Sequence, residues 1–132
     1  MKEIELIEIA KNARKMSYSK YSSFSVGAAL LTKNGKVYTG CNIENISYSL
    51  TNCAERTAFF KAISDGENEF EAIAVIGANK DSTDYPTCKP CGACLQVMSE
   101  FCDSEFKIIL ADSDNNISTI TLADILPIRF EK

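Results

Sequence analysis

The chain has 132 residues, 45% of them hydrophobic and 24% charged, with 14 Lys and Arg against 18 Asp and Glu for a net charge of -4. That length reads as one domain spanning residues 1–132, large enough to hide roughly two thirds of its unfolded surface without covalent staples. The acidic balance lacks the electrostatic footprint that holds a nucleic-acid backbone or an anionic membrane, and a histidine count of zero removes Ser-His-Asp and Cys-His catalysis, HExxH zinc sites and imidazole proton shuttles.

Ile4, Ile7, Ala10 and Ala13 recur at three-residue spacing, which predicts an amphipathic first helix over Glu3 to Met16. A polar, aromatic connector, Tyr18 to Ser23, leads to an apolar run rich in small residues, Phe24 to Thr32. Lys33-Asn34-Gly35-Lys36 then turns the chain back into Val37 to Cys41, since Asn-Gly between apolar runs is the strongest local hairpin signal. Asn42 to Asn52 is polar and irregular, the kind of loop that carries function. The second helix is expected to start near Asn52 or Cys53 and to stop at Gly66. Ala72 to Ala78 suits a buried strand, and Pro90 suits the first position of a third helix running to about Cys102. Lys107 to Ala111 and Ile117 to Thr121 read as two further strands. Thr121-Leu122-Ala123-Asp124 resembles a capping box opening a short last helix. This order predicts an α/β fold in three α-β-α layers around a mixed five-stranded sheet.

With no histidine, acid–base or metal chemistry must come from carboxylates and from the six cysteines, Cys41, Cys53, Cys88, Cys91, Cys94 and Cys102. The N-terminal residues mix acidic and apolar side chains with no basic and apolar leader pattern, and no stretch approaches the ~20 apolar residues of a membrane span. The expectation is therefore a reducing cytoplasm, where clustered cysteines are more often ligands or catalytic groups than disulfides. Asn52-Cys53-Ala54-Glu55-Arg56 and Pro90-Cys91-Gly92-Ala93-Cys94 both fall at predicted helix starts, where unpaired N–H groups and the dipole favour thiolate. Cys91 and Cys94 share a helical face, and Cys53 would bring a third sulfur. Three sulfurs leave a tetrahedral zinc one open position, which is what separates a catalytic site from a structural one. Glu55 lies in the same turn as Cys53 and is surplus to the ligand set, so it suits proton transfer to and from a water activated at that position. Zinc at +2 with three thiolates sums to -1, which disfavours deprotonation of a water. Arg56, three residues after Cys53, can restore neutrality by hydrogen-bonding a thiolate.

Cys-Ala-Glu-Arg followed by Pro-Cys-x-x-Cys resembles the zinc-dependent nucleobase deaminases, in which a non-ligand Glu is the acid/base. Tyr21-Ser22-x-Phe24-x-Val26-Gly27-Ala28-Ala29-Leu30, Gly40-Cys41-Asn42-Ile43-Glu44-Asn45 and Asn52 to Ala58 extend that resemblance to the small homotetrameric cytidine deaminases, over most of the chain from Tyr18 to Phe130. The resemblance implies a cytidine deaminase-like fold with one zinc per subunit on Cys53, Cys91 and Cys94, and Glu55 as proton shuttle. It implies that Asn42 and Glu44 bind the ribose, that Phe24 packs on the pyrimidine and that the backbone at Ala54 contacts the base. It assigns Tyr48 and Phe130 to sites of neighbouring subunits, hence a homotetramer with shared sites. The activity implied is hydrolytic deamination of cytidine and 2′-deoxycytidine to uridine and 2′-deoxyuridine, a step of pyrimidine salvage, on a free nucleoside and with neither nucleic acid nor membrane as partner. One position departs from the family: Leu95 stands where Arg is common.

Other readings carry specific expectations. Cys88 with Cys53, Cys91 and Cys94 would make a closed four-cysteine structural zinc site in a non-catalytic domain, but this leaves Glu55 and Arg56 without a purpose. A redox Cys91/Cys94 pair would sit unusually late in the chain. A deaminase of a cytosine-containing nucleoside antibiotic would share the zinc chemistry, whereas the Asn42/Glu44 pair suits a ribose-like partner. Cys41 and Cys102 read as small buried hydrophobes. Taken alone, Phe24 reads equally as a core aromatic and Glu44 as a solvated charge.

Overall fold

The computed structural model describes residues 1–132. Its elements run α1 (Glu3–Arg14), β1 (Phe24–Thr32), β2 (Val37–Cys41), α2 (Ala54–Ser64), β3 (Phe70–Asn79), α3 (Gly92–Phe101), β4 (Lys107–Ala111), β5 (Ile117–Thr121) and α4 (Leu122–Ile125). The five strands form one sheet in the order β2-β1-β3-β4-β5. β1 is antiparallel to both β2 and β3, β3 and β4 run parallel, and β4 pairs antiparallel with β5. The sheet is mixed, as expected, but the chain enters α2 from β2 and α3 from β3, two strands separated by β1. The strands feeding the site helices are therefore parallel to each other without being neighbours.

Two apolar layers cover the sheet. α1 buries Leu6, Ile7 and Ala10 against Ala29, Leu31, Ala74 and Ile76 on one face. On the other face Ala58, Phe59 and Ala62 of α2 and Cys94, Leu95 and Met98 of α3 pack on Ala28, Leu30, Ile73 and Val75. The alternation along β1 and β3 that divides these residues between the two layers is the period-2 geometry of a strand buried on both faces. Leu95 is only 8% exposed within this second layer, so an apolar residue there is core.

Most element boundaries match the sequence reading, with four local differences; β3 runs from Phe70 to Asn79 rather than from Ala72 to Ala78. α1 stops at Arg14 rather than Met16, because Lys15 and Met16 turn back with 3-10-type bonds to Asn12 and Ala13. Pro90 is not the first residue of the third helix. Cys91 holds the N-cap in extended conformation and the helix opens at Gly92. The loop from Asn42 to Asn52 is pinned internally, by mutual hydrogen bonds of Ile43 and Asn52 and by a single 3-10 turn at Tyr48–Leu50. No helix is long and apolar enough to cross a membrane.

Candidate active site

Cys53 is the N-cap of α2 and Cys91 the N-cap of α3, both extended, while Cys94 lies three residues further along α3. Both helix starts thus deliver sulfur where backbone N–H groups are unpaired and the dipole is positive. The Cys53 and Cys91 sulfurs are 3.8 Å apart, Cys91 and Cys94 are 3.6 Å apart, and all three lie within 4.8 Å of one another. A tetrahedral zinc with bonds of ~2.3 Å separates its sulfurs by about 3.8 Å, so this donor set fits the ion in both chemistry and spacing. Cys88 does not join the cluster. Its sulfur is packed so closely on β3 that a Cβ on Gly77 would meet it at 2.6 Å. Burial pushes its thiol up to about 11. The closed four-sulfur site is not what forms.

The Cys53 thiol is held down at about 5, first by a hydrogen bond from Cys94, then by the hydrogen bond and charge of Arg56 and a bond from Cys91, against the opposing effect of burial. Cys94 moves the other way, by donating to Cys53 and through its burial. Arg56 Nη2 donates to the Cys53 sulfur at 3.2 Å, and Nε is buried without a hydrogen-bond partner. That unpaired N–H is costly in neutral surroundings, and next to thiolates its positive charge is stabilised instead.

Glu55, one residue into α2 from Ala54, is 4% exposed. Burial raises its carboxyl to about 7, with the Cys53 charge adding to the rise and the Cys94 hydrogen bond and Arg56 opposing it. A carboxyl titrating near neutrality is matched to accepting a proton and returning it.

These groups open on a cavity of about 310 Å³ whose walls include Phe24, Val26, Asn42, Glu44, Ala54 and Glu55. That volume is at the small end for a pocket enclosing an organic ligand. Phe24 is 42% exposed, so its ring is a wall of this pocket and not a core aromatic. Glu44 is equally distinct from a free surface charge. Its carboxylate accepts from the Tyr21 and Ser22 backbone N–H groups at 2.9 and 3.1 Å and from the Ser22 hydroxyl, and the Ser22 hydroxyl bond is the main cause holding its pKa down. Asn42 is buried: its Nδ2 donates to Phe24 O at 2.8 Å, and its Oδ1 accepts from Val26 N at 2.9 Å and from Ser17 Oγ. One N–H of that amide stays available to a ligand.

Tyr48 lies outside this cavity, in the adjoining groove with Tyr21, Ser22, Glu44 and Thr51, its ring edge-on to Tyr21 at 6.0 Å. Phe130 is remote from the pocket of its own chain, where Gln96 Nε2 donates to its carbonyl at 3.2 Å. Ser22, Thr51, Cys88 and Lys89 complete the walls and escaped the sequence reading as contributors to the pocket. Ser22 is inside the Tyr21-Ser22-x-Phe24 motif and Cys88 and Lys89 directly precede Pro90-Cys91, so proximity to motifs was the available signal. Cys102 is buried as expected, while Cys41 is only partly so.

A family profile described as the cytidine and deoxycytidylate deaminase zinc-binding region matches residues 1–110. The chain is 50% identical to a cytidine deaminase of Sporosarcina psychrophila over 97% of this chain and 90% of that one. It is likewise 50% identical to a cytidine deaminase of Halalkalibacterium halodurans over 92% of this chain and 89% of the relative. Among solved structures it resembles the cytidine deaminase of Burkholderia pseudomallei with a TM-score of 0.90 and 45% identity, covering 98% of this chain and all (100%) of the other.

Proposed function

The chain belongs to the zinc-binding cytidine and deoxycytidylate deaminase family, and from that premise we propose how its own residues divide the reaction between them. It hydrolyses the exocyclic amine of cytidine, so that cytidine and water give uridine and ammonia. Cys53, Cys91 and Cys94 would hold zinc, which would supply Lewis-acid activation of a water. Glu55 accepts the proton of the attacking water as its oxygen adds to C4 and passes it to N3, then takes the proton of the new C4 hydroxyl and delivers it to the departing amine as the C4–N bond breaks. The observation that carries this reading is the placement of Glu55, buried beside the three-sulfur cluster yet not part of it, with a carboxyl near pH 7.

Asn42 and Glu44 hold the ribose hydroxyls, Asn42 with its spare N–H and Glu44 with the lone pairs its three donors leave free. Phe24 packs on the pyrimidine, and the backbone at Ala54 holds the base edge. Arg56 offsets the surplus negative charge of the thiolates. Because Glu44 is already positioned by Tyr21 and Ser22, little of its freedom is lost on binding, which supports a ribonucleoside over a cytosine-containing antibiotic. 2′-Deoxycytidine is a second substrate, and the reaction serves pyrimidine salvage in the cytoplasm. Residues 1–132 act as one domain. Four copies form a homotetramer in which Tyr48 and Phe130 complete neighbouring sites.

Purified protein incubated with cytidine should release ammonia stoichiometrically as the cytidine absorbance converts to that of uridine, with zinc present at one per chain. A preparation with full zinc and no turnover would overturn the reading. An analogue with a tetrahedral, hydroxyl-bearing C4 should bind far more tightly than cytidine, because catalysis rests on favouring that geometry.

A further inference from the structure

A second cavity, of about 590 Å³, lies on the α1 side of the sheet. Ser25 lines it from β1, whereas Phe24 and Val26, on either side of Ser25 in the strand, line the nucleoside pocket. Alternation along the strand therefore puts the two cavities on opposite faces. Four cationic side chains, Arg14, Lys15, Lys20 and Lys80, line this cavity and no carboxylate does, on a chain whose net charge is -4.

The cations divide by what they already do. Arg14 is committed: Nε donates to Ser25 O at 2.9 Å and Nη2 to the Ala78 and Asn79 carbonyls at 3.1 and 2.8 Å. It ties α1 to β1 and β3 and makes the cavity's back wall rigid. Lys15, Lys20 and Lys80 are exposed and belong to none of the ion pairs of the molecule, which use Lys11, Lys33 and Lys36. Cations at the end of a helix complement its dipole, which accounts for Arg14 and Lys15. Lys20 and Lys80 come from separate segments and have no such reason to converge. The floor is also built. Ser19 and Ser25, 7% and 6% exposed, hold their hydroxyls 3.0 Å apart. Two hydroxyls sharing one hydrogen bond leave one O–H to donate, which a ligand acceptor in the cavity can take.

We propose that this cavity binds a phosphate-bearing anion of several charges, held by Lys15, Lys20 and Lys80 over the Ser19–Ser25 floor. The site is also joined to the nucleoside pocket. Ser17, on its wall, donates to Asn42 Oδ1. Tyr18 N donates to Asn42 O at 3.0 Å, and Glu44 N donates to Tyr18 O at 2.9 Å. Occupancy therefore bears on the two residues assigned to the ribose, a consequence that rests on the function proposed above and alters KM for cytidine.

Calorimetric titration of the zinc-loaded protein with tripolyphosphate at low salt tests the site without reference to activity. Saturable binding is expected, weakened roughly tenfold by Lys20→Gln with Lys80→Gln, since each exposed cation contributes up to ~1 kcal/mol and ~1.4 kcal/mol is tenfold. A charge-matched control, Lys107→Gln with Lys132→Gln, should bind as the unaltered protein does. No saturable binding, or equal weakening in both double variants, overturns the site. Adenosine triphosphate separates two sources of the same chemistry. Tighter binding than tripolyphosphate, lost in Tyr18→Ala, assigns a nucleotide, and equal affinity assigns the phosphates alone. Saturating tripolyphosphate should change KM for cytidine, with kcat kept, in the unaltered protein and not in Lys20→Gln/Lys80→Gln. An unchanged KM alongside normal turnover removes the coupling.

Discussion

A Cβ on Gly40 would lie 2.2 Å from the carbonyl oxygen of Ala54 and 2.6 Å from the Ala58 backbone nitrogen. β2 therefore touches the first turn of α2 through bare backbone, at the turn that carries Cys53 and Glu55. The distance between sheet and helix is set there by the missing side chain.

Gly40→Ala should force α2 away from the sheet, destabilising the fold by about 1–3 kcal/mol as overpacking does. It should also lower kcat by roughly 10²-fold, since displacements near 1 Å at a reacting group cost that much. Gly27→Ala makes a matched comparison. Its Cβ would meet Ala10 O at 2.1 Å and Arg14 N at 2.5 Å, on the face where α1 carries neither the cluster nor Glu55. Thermal unfolding and kcat per folded molecule, measured on both variants, should show similar destabilisation with kcat reduced only for Gly40→Ala.

Glu55→Gln should retain one zinc per chain and the fold while losing about 10²–10⁴-fold in kcat, the range of a positioned acid/base. The amide keeps the shape of the side chain and cannot carry the proton. Metal content and turnover are to be read on one preparation, and loss of zinc with activity would make Glu55 a ligand.

Cys88→Ser should keep zinc and most activity, because its sulfur is seated on Gly77 outside the three-sulfur cluster. Cys91→Ser and Cys94→Ser should each lose zinc. Elemental analysis after exhaustive dialysis decides this, and zinc loss from Cys88→Ser alone would reverse the ligand assignment.

Arg56→Gln removes the cation that favours thiolate at Cys53 and lowers the pKa of Glu55. Both groups then titrate higher, so the ionised base is present only at higher pH. The acid limb of kcat/KM against pH should move upward, while zinc is retained. An unmoved acid limb would show that Arg56 does not tune the site.

Tyr48 and Phe130 are 72% and 82% exposed in the single chain, leaving large aromatic surface open there. If the proposed homotetramer shares its sites, light scattering and activity across a dilution series should show dissociation and loss of turnover together. Phe130→Ala should raise KM for cytidine, and a fully active monomer would refute shared sites.

Local pattern alone located much of this molecule. β4 and β5 match their apolar runs residue for residue, and Thr121 closes the capping box with Asp124, because strand alternation and N-capping are read within a few neighbouring residues. The Cys53-x-Glu55-Arg56 and Cys91-x-x-Cys94 spacings singled out the three clustered sulfurs and the two residues beside Cys53 for the same reason: each is a one-turn relationship on a helix. Other properties depend on what the chain brings together from a distance. The 3.8 Å approach of Cys53 to Cys91 spans 38 residues, with β1 lying between the strands that feed α2 and α3. The rise of Glu55 to about 7 comes first from its burial, the exposure of Phe24 from the open pocket beside it, and the exclusion of Cys88 from its seat on Gly77. Desolvation and contact are set by neighbours remote in sequence, and only the tertiary structure supplies them.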